Sequence, residues 1–379
     1  MSFATRALVL AGALAGLLGV GIAPPSAWAR DTGPSPVSAT PAPPSVAAQP
    51  SQSPGLNIAA WLQRMYTASR QRSYTGTFVV SASNGELSSA RIWHVCEGNT
   101  QVERVETLSG TPRTMFRHNG EVLVVVPQAH IVRRENRQTL DLFPGLSKAA
   151  RAQAPDINIA RSYSLQPQNR ARVAGFDADV IRIVPHDKQR FGYRAWIERK
   201  TGLPLKLQTL DAQGKVVEQS AFSDLRMDAP IKAQTLLDAM AAARKGYKIE
   251  QMPSEPVAIA TQGWSLHPLV PGFHAVGSYQ RIIASTPSGA PAGAVNTPSI
   301  PAKTLQWVFS DGLASISLFI EPCAAQCGKR PEGAYTRGAT SMLTRRMAGP
   351  NNDHWWLLAV GEVPPQTLAT FAENLQRTH

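Results

Sequence analysis

The chain has 379 residues, of which 43% are hydrophobic and 17% charged, with a formal net charge of +12. This composition excludes a disordered or fibrous protein, and the length allows two domains with cores of their own. Beyond the first 29 residues no apolar run approaches the length that crosses a bilayer as a helix.

The N-terminus reads as an export signal. Arg6 provides a basic start, an Ala/Leu/Gly-rich run extends from Ala7 to Ala23, Pro24 and Pro25 break it, and Ala27-Trp28-Ala29 has the form of a cleavage site. Residues 1–29 are therefore expected to be removed, and no cysteine near the cut indicates a lipid anchor. For an exported protein the positive charge points to lipid phosphates, lipopolysaccharide or an acidic protein, rather than to nucleic acid. The basic clusters are short, however, and each also reads as an ordinary solvated face.

Residues 30–55 are rich in Pro, Ala and Ser with few aliphatics, and are expected to form a disordered tether. From Leu56 the texture changes. Apolar residues recur at helical spacing from Ile58 to Tyr66, with Asn57 as N-cap. Strands follow: 74–80, a hairpin turn at Asn84-Gly85, 89–95, a turn at 97–99, and 101–108. His118-Asn119-Gly120 turns into 122–126. Residues 142–146 interrupt the sheet, and a short helix is expected from Lys148. Next come strands at 171–174 and 178–184 around a turn at 175–177, then 191–198, 203–210 and 215–225. Tight turns at 201–202 and 211–214 make this an antiparallel meander. Residues 233–243 read as a helix and 252–256 as part of an interdomain linker. Strands are expected near 263–266, 305–309, 314–320 and 355–360, with a Pro/Gly-rich loop at 285–301. A closing helix begins near Pro365, a residue suited to a first turn. The fold class is α+β, with helices packed on antiparallel sheet.

Three cysteines bear on the redox setting. The Cys323–Cys327 spacing permits a disulfide across a local turn, which leaves Cys96 free and buried. Catalytic motifs are missing from the sequence: there is no Gly-x-Ser-x-Gly elbow, phosphate loop or His-Glu-x-x-His. The eight histidines show no metal-ligand spacing, so neither a metal nor a cofactor is expected. Ser310-Asp311-Gly312 reads as a turn. The chain is not expected to be an enzyme.

Several runs carry a resemblance: WLQRM at 61–65, YTGTFV at 74–79, RIWH at 91–94, RVAG at 172–175 and TGL at 201–203. Further on come Trp264 with PGF at 271–273, FSDGL at 309–313 and VGEVPPQT at 360–367. In this shared order the chain resembles the RseB/MucB family of periplasmic regulators of the sigma-E (AlgU-type) envelope-stress response. It departs from the family pattern in the tether, the 285–301 insertion and the Cys323/Cys327 pair. The resemblance implies a LolA/LolB-like N-terminal domain at 56–228, a curved, incompletely closed antiparallel sheet with covering helices. It further implies a linker at 229–257 and a smaller C-terminal partner-binding domain at 258–379. Such a protein would bind the periplasmic part of a membrane-spanning anti-sigma factor (RseA/MucA type), shield it from proteolysis, and release it on binding lipopolysaccharide or another acylated envelope molecule. A lipid or lipoprotein carrier is the alternative, and self-association stays open.

A curved apolar sheet can hold an acyl chain or an apolar peptide. The candidate lining is Phe78, Trp93, Met115, Phe116, Phe143, Leu146, Tyr163 and Trp196, each of which also reads as ordinary core. Arg113, Arg117, Arg133 and Arg134 are candidates for phosphate contact, because guanidinium matches phosphate in bidentate geometry. If both domains grip the partner, a flexible linker around 246–256 would let release come from a change in their relative placement.

Overall fold

The computed structural model describes residues 57–136, 157–284, 301–323, 330–349 and 353–378. The expected signal at 1–29, the tether at 30–55, Phe143, Leu146, the helix from Lys148, Cys327 and all of the 285–301 loop except Pro301 lie outside them. Among the described residues no helix is long and apolar enough to cross a membrane.

The fold opens on α1 (Ile58–Gln71), whose Asn57 cap accepts the Ala59 amide at 2.9 Å. Ile58, Leu62, Met65 and Ala68 are buried at the spacing that aligns one helix face. Then follow β1 (Tyr74–Ala82), β2 (Leu87–Glu97), β3 (Thr100–Thr107), β4 (Thr114–His118), β5 (Glu121–Val126) and β6 (Ile131–Asn136). A one-turn helix α2 (Ile159–Ser162) leads into β7 (Tyr163–Val173), β8 (Phe176–Pro185), β9 (Gly192–Glu198), β10 (Pro204–Leu210) and β11 (Val216–Met227). Helix α3 (Ala233–Ala242) and β12 (Lys248–Met252) complete the first unit. Its twelve strands form one sheet in the order β12-β6-β5-β4-β3-β2-β1-β11-β10-β9-β8-β7. The end strands β12 and β7 are not paired to each other, so the sheet stays open.

β4, β6 and most of β7 were not foreseen. β7 is an edge strand whose exposed, polar residues 166–170 carry no alternation, and Pro167 is tolerated there because an edge amide needs no partner. The turn that follows is also tighter than 175–177. Ala174 and Gly175 make it with φ of 49° and 84°, and Phe176 and Asp177 already belong to β8.

The second unit contains β13 (Ser254–Pro256), β14 (Trp264–Leu266), β15 (His274–Ala284), β16 (Pro301–Ser310), β17 (Ser315–Pro322), β18 (Gly333–Arg337), β19 (Thr340–Ala348), β20 (His354–Gly361), α4 (Pro365–Asn374) and β21 (Leu375–Arg377). Seven of its strands form a sheet in the order β13-β15-β16-β17-β20-β19-β18, and β14 pairs with β21. Its core joins Phe309, Phe371 and Phe273, with ring centroids 5.1 and 5.6 Å apart. β15, β18, β19 and β21 add to the expected elements, and the closing helix ends at Asn374 because β21 takes up the last residues.

The segment expected to link the domains is built into them instead. On α3, Leu236 packs with Val95 and Val102, and Met240 packs with Phe116, Leu123, Val125 and Val132. β12 pairs in parallel with β6, and one residue later β13 pairs with β15. Residues 248–256 thus form the edge of both sheets, and their backbone hydrogen bonds leave little of a flexible hinge at 246–256.

Candidate functional site

The junction between the two units is a buried polar site. Asp311 lies in the β16–β17 turn, where its Oδ1 accepts the amides of Leu313 at 2.9 Å and Ala314 at 2.8 Å. Its Oδ2 faces the first unit, accepting the Tyr163 hydroxyl at 2.8 Å and lying 3.2 Å from Arg190 Nη1. Arg190 also donates to the Pro271 carbonyl at 2.5 Å, pairs with Asp187 at 3.1 Å, and lies 5.1 Å over the ring of Phe273. Asp311, Tyr163 and Arg190 are at most 2% exposed. Around them Leu313 enters the cluster formed by α1 and β7–β9, and Gly312 sits at φ +102° against Ile159. Thr367 donates to the Gln189 carbonyl at 2.9 Å, and Arg337 pairs with Glu86 at 2.6 Å.

Burial holds the Asp311 carboxyl above its ordinary value, opposed by Arg190, the Leu313 amide, the Tyr163 hydroxyl and the Ala314 amide. Burial, with Asp311 beside it, also holds the Tyr163 hydroxyl well above the ordinary phenol value, so it stays protonated and donates. The folded state binds the Asp311 proton more tightly than the unfolded chain. This group's contribution to stability is therefore fully present below the ordinary carboxylate value of 3.8 and is lost as pH rises through the folded-state value. Asp311→Asn should flatten the pH dependence of unfolding free energy above pH 3.8, measured by urea titrations across pH. An unchanged slope would mean that Asp311 titrates as it does in water.

A second buried network ties α1 to the sheet. His94 Nδ1 meets Glu103 at 3.1 Å, and Nε2 meets the Arg70 carbonyl at 3.2 Å. Arg117 approaches Glu103 at 3.6 Å, and Tyr74 stacks on His94 at 5.1 Å. Burial first, and then the Glu103 charge, push the Tyr74 hydroxyl up, while Arg117 opposes them.

The candidate lining residues do not converge. Phe78 and Met115 share one cluster, with Trp196 packed against it. Phe116 follows Met115 in β4 and so points to the other face, where it packs with Met240. Trp93 packs in the cluster of Val95 and Leu236, with Arg104 at 4.7 Å over its ring. Tyr163 belongs to the α1 cluster and the junction.

The four arginines divide as well. Register places Arg117 and Arg133 on the Met115 face, and alternation along β4 adds Arg113, whereas Arg134 alternates to the face of Phe116. Arg117, Arg133 and Arg134 meet Glu103, Glu250 and Glu121 at 3.6, 3.5 and 2.7 Å. Among the described residues Arg113 meets no carboxylate, and its buried Nε has no hydrogen-bond partner. Burial and then Arg133 lower its guanidinium below the ordinary value.

Cys323 is disulfide-bonded, and Cys96 is free and half-buried rather than buried. An open cavity of about 900 Å³ lies between the C-terminal half of α1 and residues 228–232, with Arg64, Arg72, Cys96 and Lys232 in its wall. None of the sequence candidates lines it. Arg190, His94 and Glu103 escaped the sequence reading because only the fold brings their partners close. Asp311 was visible as a turn residue, and an acid in the apolar run 305–320 was the one available signal.

Residues 57–240 match the family model described as MucB/RseB N-terminal domain, and residues 258–376 match that of the MucB/RseB C-terminal domain. The chain is 29% identical over 319 residues to the sigma factor AlgU regulatory protein MucB of Pseudomonas aeruginosa, covering 83% of this chain and 90% of that one. It is 24% identical over 321 residues to the sigma-E factor regulatory protein RseB of Escherichia coli K12, covering 84% and 90%. Among solved structures, the Pseudomonas aeruginosa MucA/MucB complex aligns with a TM-score of 0.60 at 26% identity, over 85% of this chain and 99% of that chain. The crystal structure of MucB aligns with a TM-score of 0.56 at 25% identity, over 84% and 97%.

Proposed function

This chain belongs to the MucB/RseB family, and from that premise we propose that it is a periplasmic negative regulator of sigma-E-type envelope-stress signalling. It binds the periplasmic part of a membrane-spanning anti-sigma factor, protects that segment from regulated proteolysis, and lets go when lipopolysaccharide or another acylated envelope molecule binds. The observation that carries this reading is the agreement along both units with a relative solved together with MucA. A carrier of lipids has no evident use for the second unit, and the buried junction makes that unit part of the working body.

Within this reading the N-terminal unit senses lipid and the C-terminal unit grips the partner. The apolar element for an acyl chain is the cluster of Phe78 and Met115 with Trp196 against it. Arg113 is the phosphate contact, since an anion beside it would offset its burial and the Arg133 charge. Arg117, Arg133 and Arg134 have carboxylate partners already, and an incoming phosphate would have to compete with them.

The test is a titration of the mature protein with the periplasmic peptide of its cognate anti-sigma factor, with and without lipopolysaccharide. Tight binding that lipopolysaccharide reverses is expected, and Arg113→Gln should blunt the reversal while leaving peptide affinity in place. Lipid transfer to acceptor vesicles without peptide binding would replace the regulator by a carrier.

A further inference from the structure

The cluster that holds Phe78 and Met115 is closed. Ile92, Val105, Leu203 and Leu205 in it are 0% exposed. Interiors pack at crystal-like density, so an acyl chain enters such a cluster only by displacing protein. One part of its wall is weakly held. Val173, Ala174 and Phe176, at the tip of the β7–β8 hairpin, pack against this cluster while only partly buried themselves.

Several features favour lifting this tip, against the Arg199 amide bonded to the Asp177 carbonyl at 3.2 Å and the burial of Ala178 at its base. Among the described residues β7 is the outermost strand, paired in the sheet with β8 alone. Its pairing with β8 slips between Gln168 and Ala171, and such a bulge bends a strand and interrupts its ladder. Ala174 is held at φ 49°, a conformation that L side chains disfavour. Arg172 donates through Nε and Nη2 to the Gly175 carbonyl at 3.2 and 3.0 Å, which keeps the tip itself in shape.

We propose that the hairpin tip at 171–178 is a displaceable plug. In this structure it occupies the place of an acyl chain, and a membrane lipid binds by lifting the tip about the bulge at 168–171. The inference rests on the lipid-sensing reading above and adds the element that gates it. Apparent affinity is then the intrinsic affinity multiplied by the fraction of open molecules, so changes at the tip alter lipid binding in predictable directions.

The test uses the mature protein and a 16-carbon lysophospholipid below its micellar concentration. Phe176→Ser removes the apolar anchor of the tip and should tighten binding about tenfold, whereas Ala174→Gly removes the strained φ and should weaken it roughly fivefold. Hydrogen exchange should show peptides covering 171–178 losing protection when lipid binds to the unsubstituted protein. Lipid binding with the tip equally protected, and with both variants at the affinity of the unsubstituted protein, would overturn the plug and leave lipid sensing intact. Binding by Phe176→Ser alone would support the plug. No binding by any of the three proteins would overturn the lipid-sensing reading and the plug with it.

Discussion

Asp311→Ala is expected to cost about 3–5 kcal/mol of folding free energy and to uncouple the two units. The loss comes mainly from what the substitution leaves behind. Arg190 is 2% exposed, and without Asp311 its guanidinium remains inside the junction with Asp187, at the rim, as its remaining carboxylate. The Tyr163 hydroxyl and the amides of Leu313 and Ala314 lose their acceptor in the same step. Unfolding in urea, followed by a probe in each unit, should change from one transition to two, with the C-terminal unit melting separately. The double variant Arg190→Met/Asp311→Leu should recover only the part due to the unpaired guanidinium, because a buried pair exchanged for apolar groups of similar size is often neutral, while the Tyr163 hydroxyl and the two amides stay without an acceptor. A midpoint for Asp311→Ala equal to that of the unsubstituted protein would show that the pair does not hold the junction.

This expectation alters how release of the partner can work. With 248–256 paired into both sheets and Arg190 bonded across the junction, a large swing of one unit against the other has to break buried contacts first. Displacement of the hairpin tip is a smaller motion that leaves this junction closed, and it answers to the same lipid signal.

Gly76→Ala is the second large effect, expected at about 3 kcal/mol or more. Gly76 lies in the YTGTF run of β1, and its φ is not positive, so no unusual backbone angle requires glycine there. The requirement is contact. A Cβ at this position would strike the Asp224 carbonyl oxygen of β11 and come within 3.0 Å of the Phe222 ring and 3.2 Å of the Leu225 Cα. Backbone cannot yield as a long side chain can, so β1 and β11 would have to separate in the middle of the larger sheet. Gly85 provides the contrast: φ is 86° in the β1–β2 turn and a Cβ there meets nothing within 4 Å. Its replacement by Ala should cost only the backbone strain, about 1 kcal/mol. Chemical denaturation of the two variants side by side checks both values, and a Gly76→Ala protein as stable as Gly85→Ala would refute the steric reading.

Much of the architecture was legible from local signals. Asn57 capped a helix as its position suggested, Asn84-Gly85 turned a hairpin, and Tyr193, Ala195 and Ile197 alternated into a core. Turn chemistry and strand alternation act over a few residues, and those residues are contiguous in the chain. The runs that carried the family resemblance also proved physically meaningful. Gly76 permits a close strand approach, Gly312 packs on Ile159, and a Cβ at Gly361 would come within 2.8 Å of the Ser315 carbonyl oxygen.

The candidate site was legible only in part. Residue type marked Phe78, Met115 and Phe116 alike as apolar, but the pleat of β4 sends Met115 and Phe116 to opposite faces, and membership of a cluster depends on what covers each face. The arginines were equivalent by type, and only their carboxylate neighbours, brought in by register from other strands, distinguish Arg113 from Arg117, Arg133 and Arg134.

The sequence by itself determined the α+β class and most strand and helix positions, because these follow from periodicity, caps and turns along short stretches of chain, and it determined the family through the ordered runs that resemble it. The tertiary structure alone decided that 248–256 joins the two sheets, that Asp311 meets Arg190 across 121 positions of chain, and that an edge hairpin covers the apolar cluster. Each of these depends on a partner distant in sequence, and the energy of a buried charge or a packed side chain is set by that partner and by the exclusion of water around it.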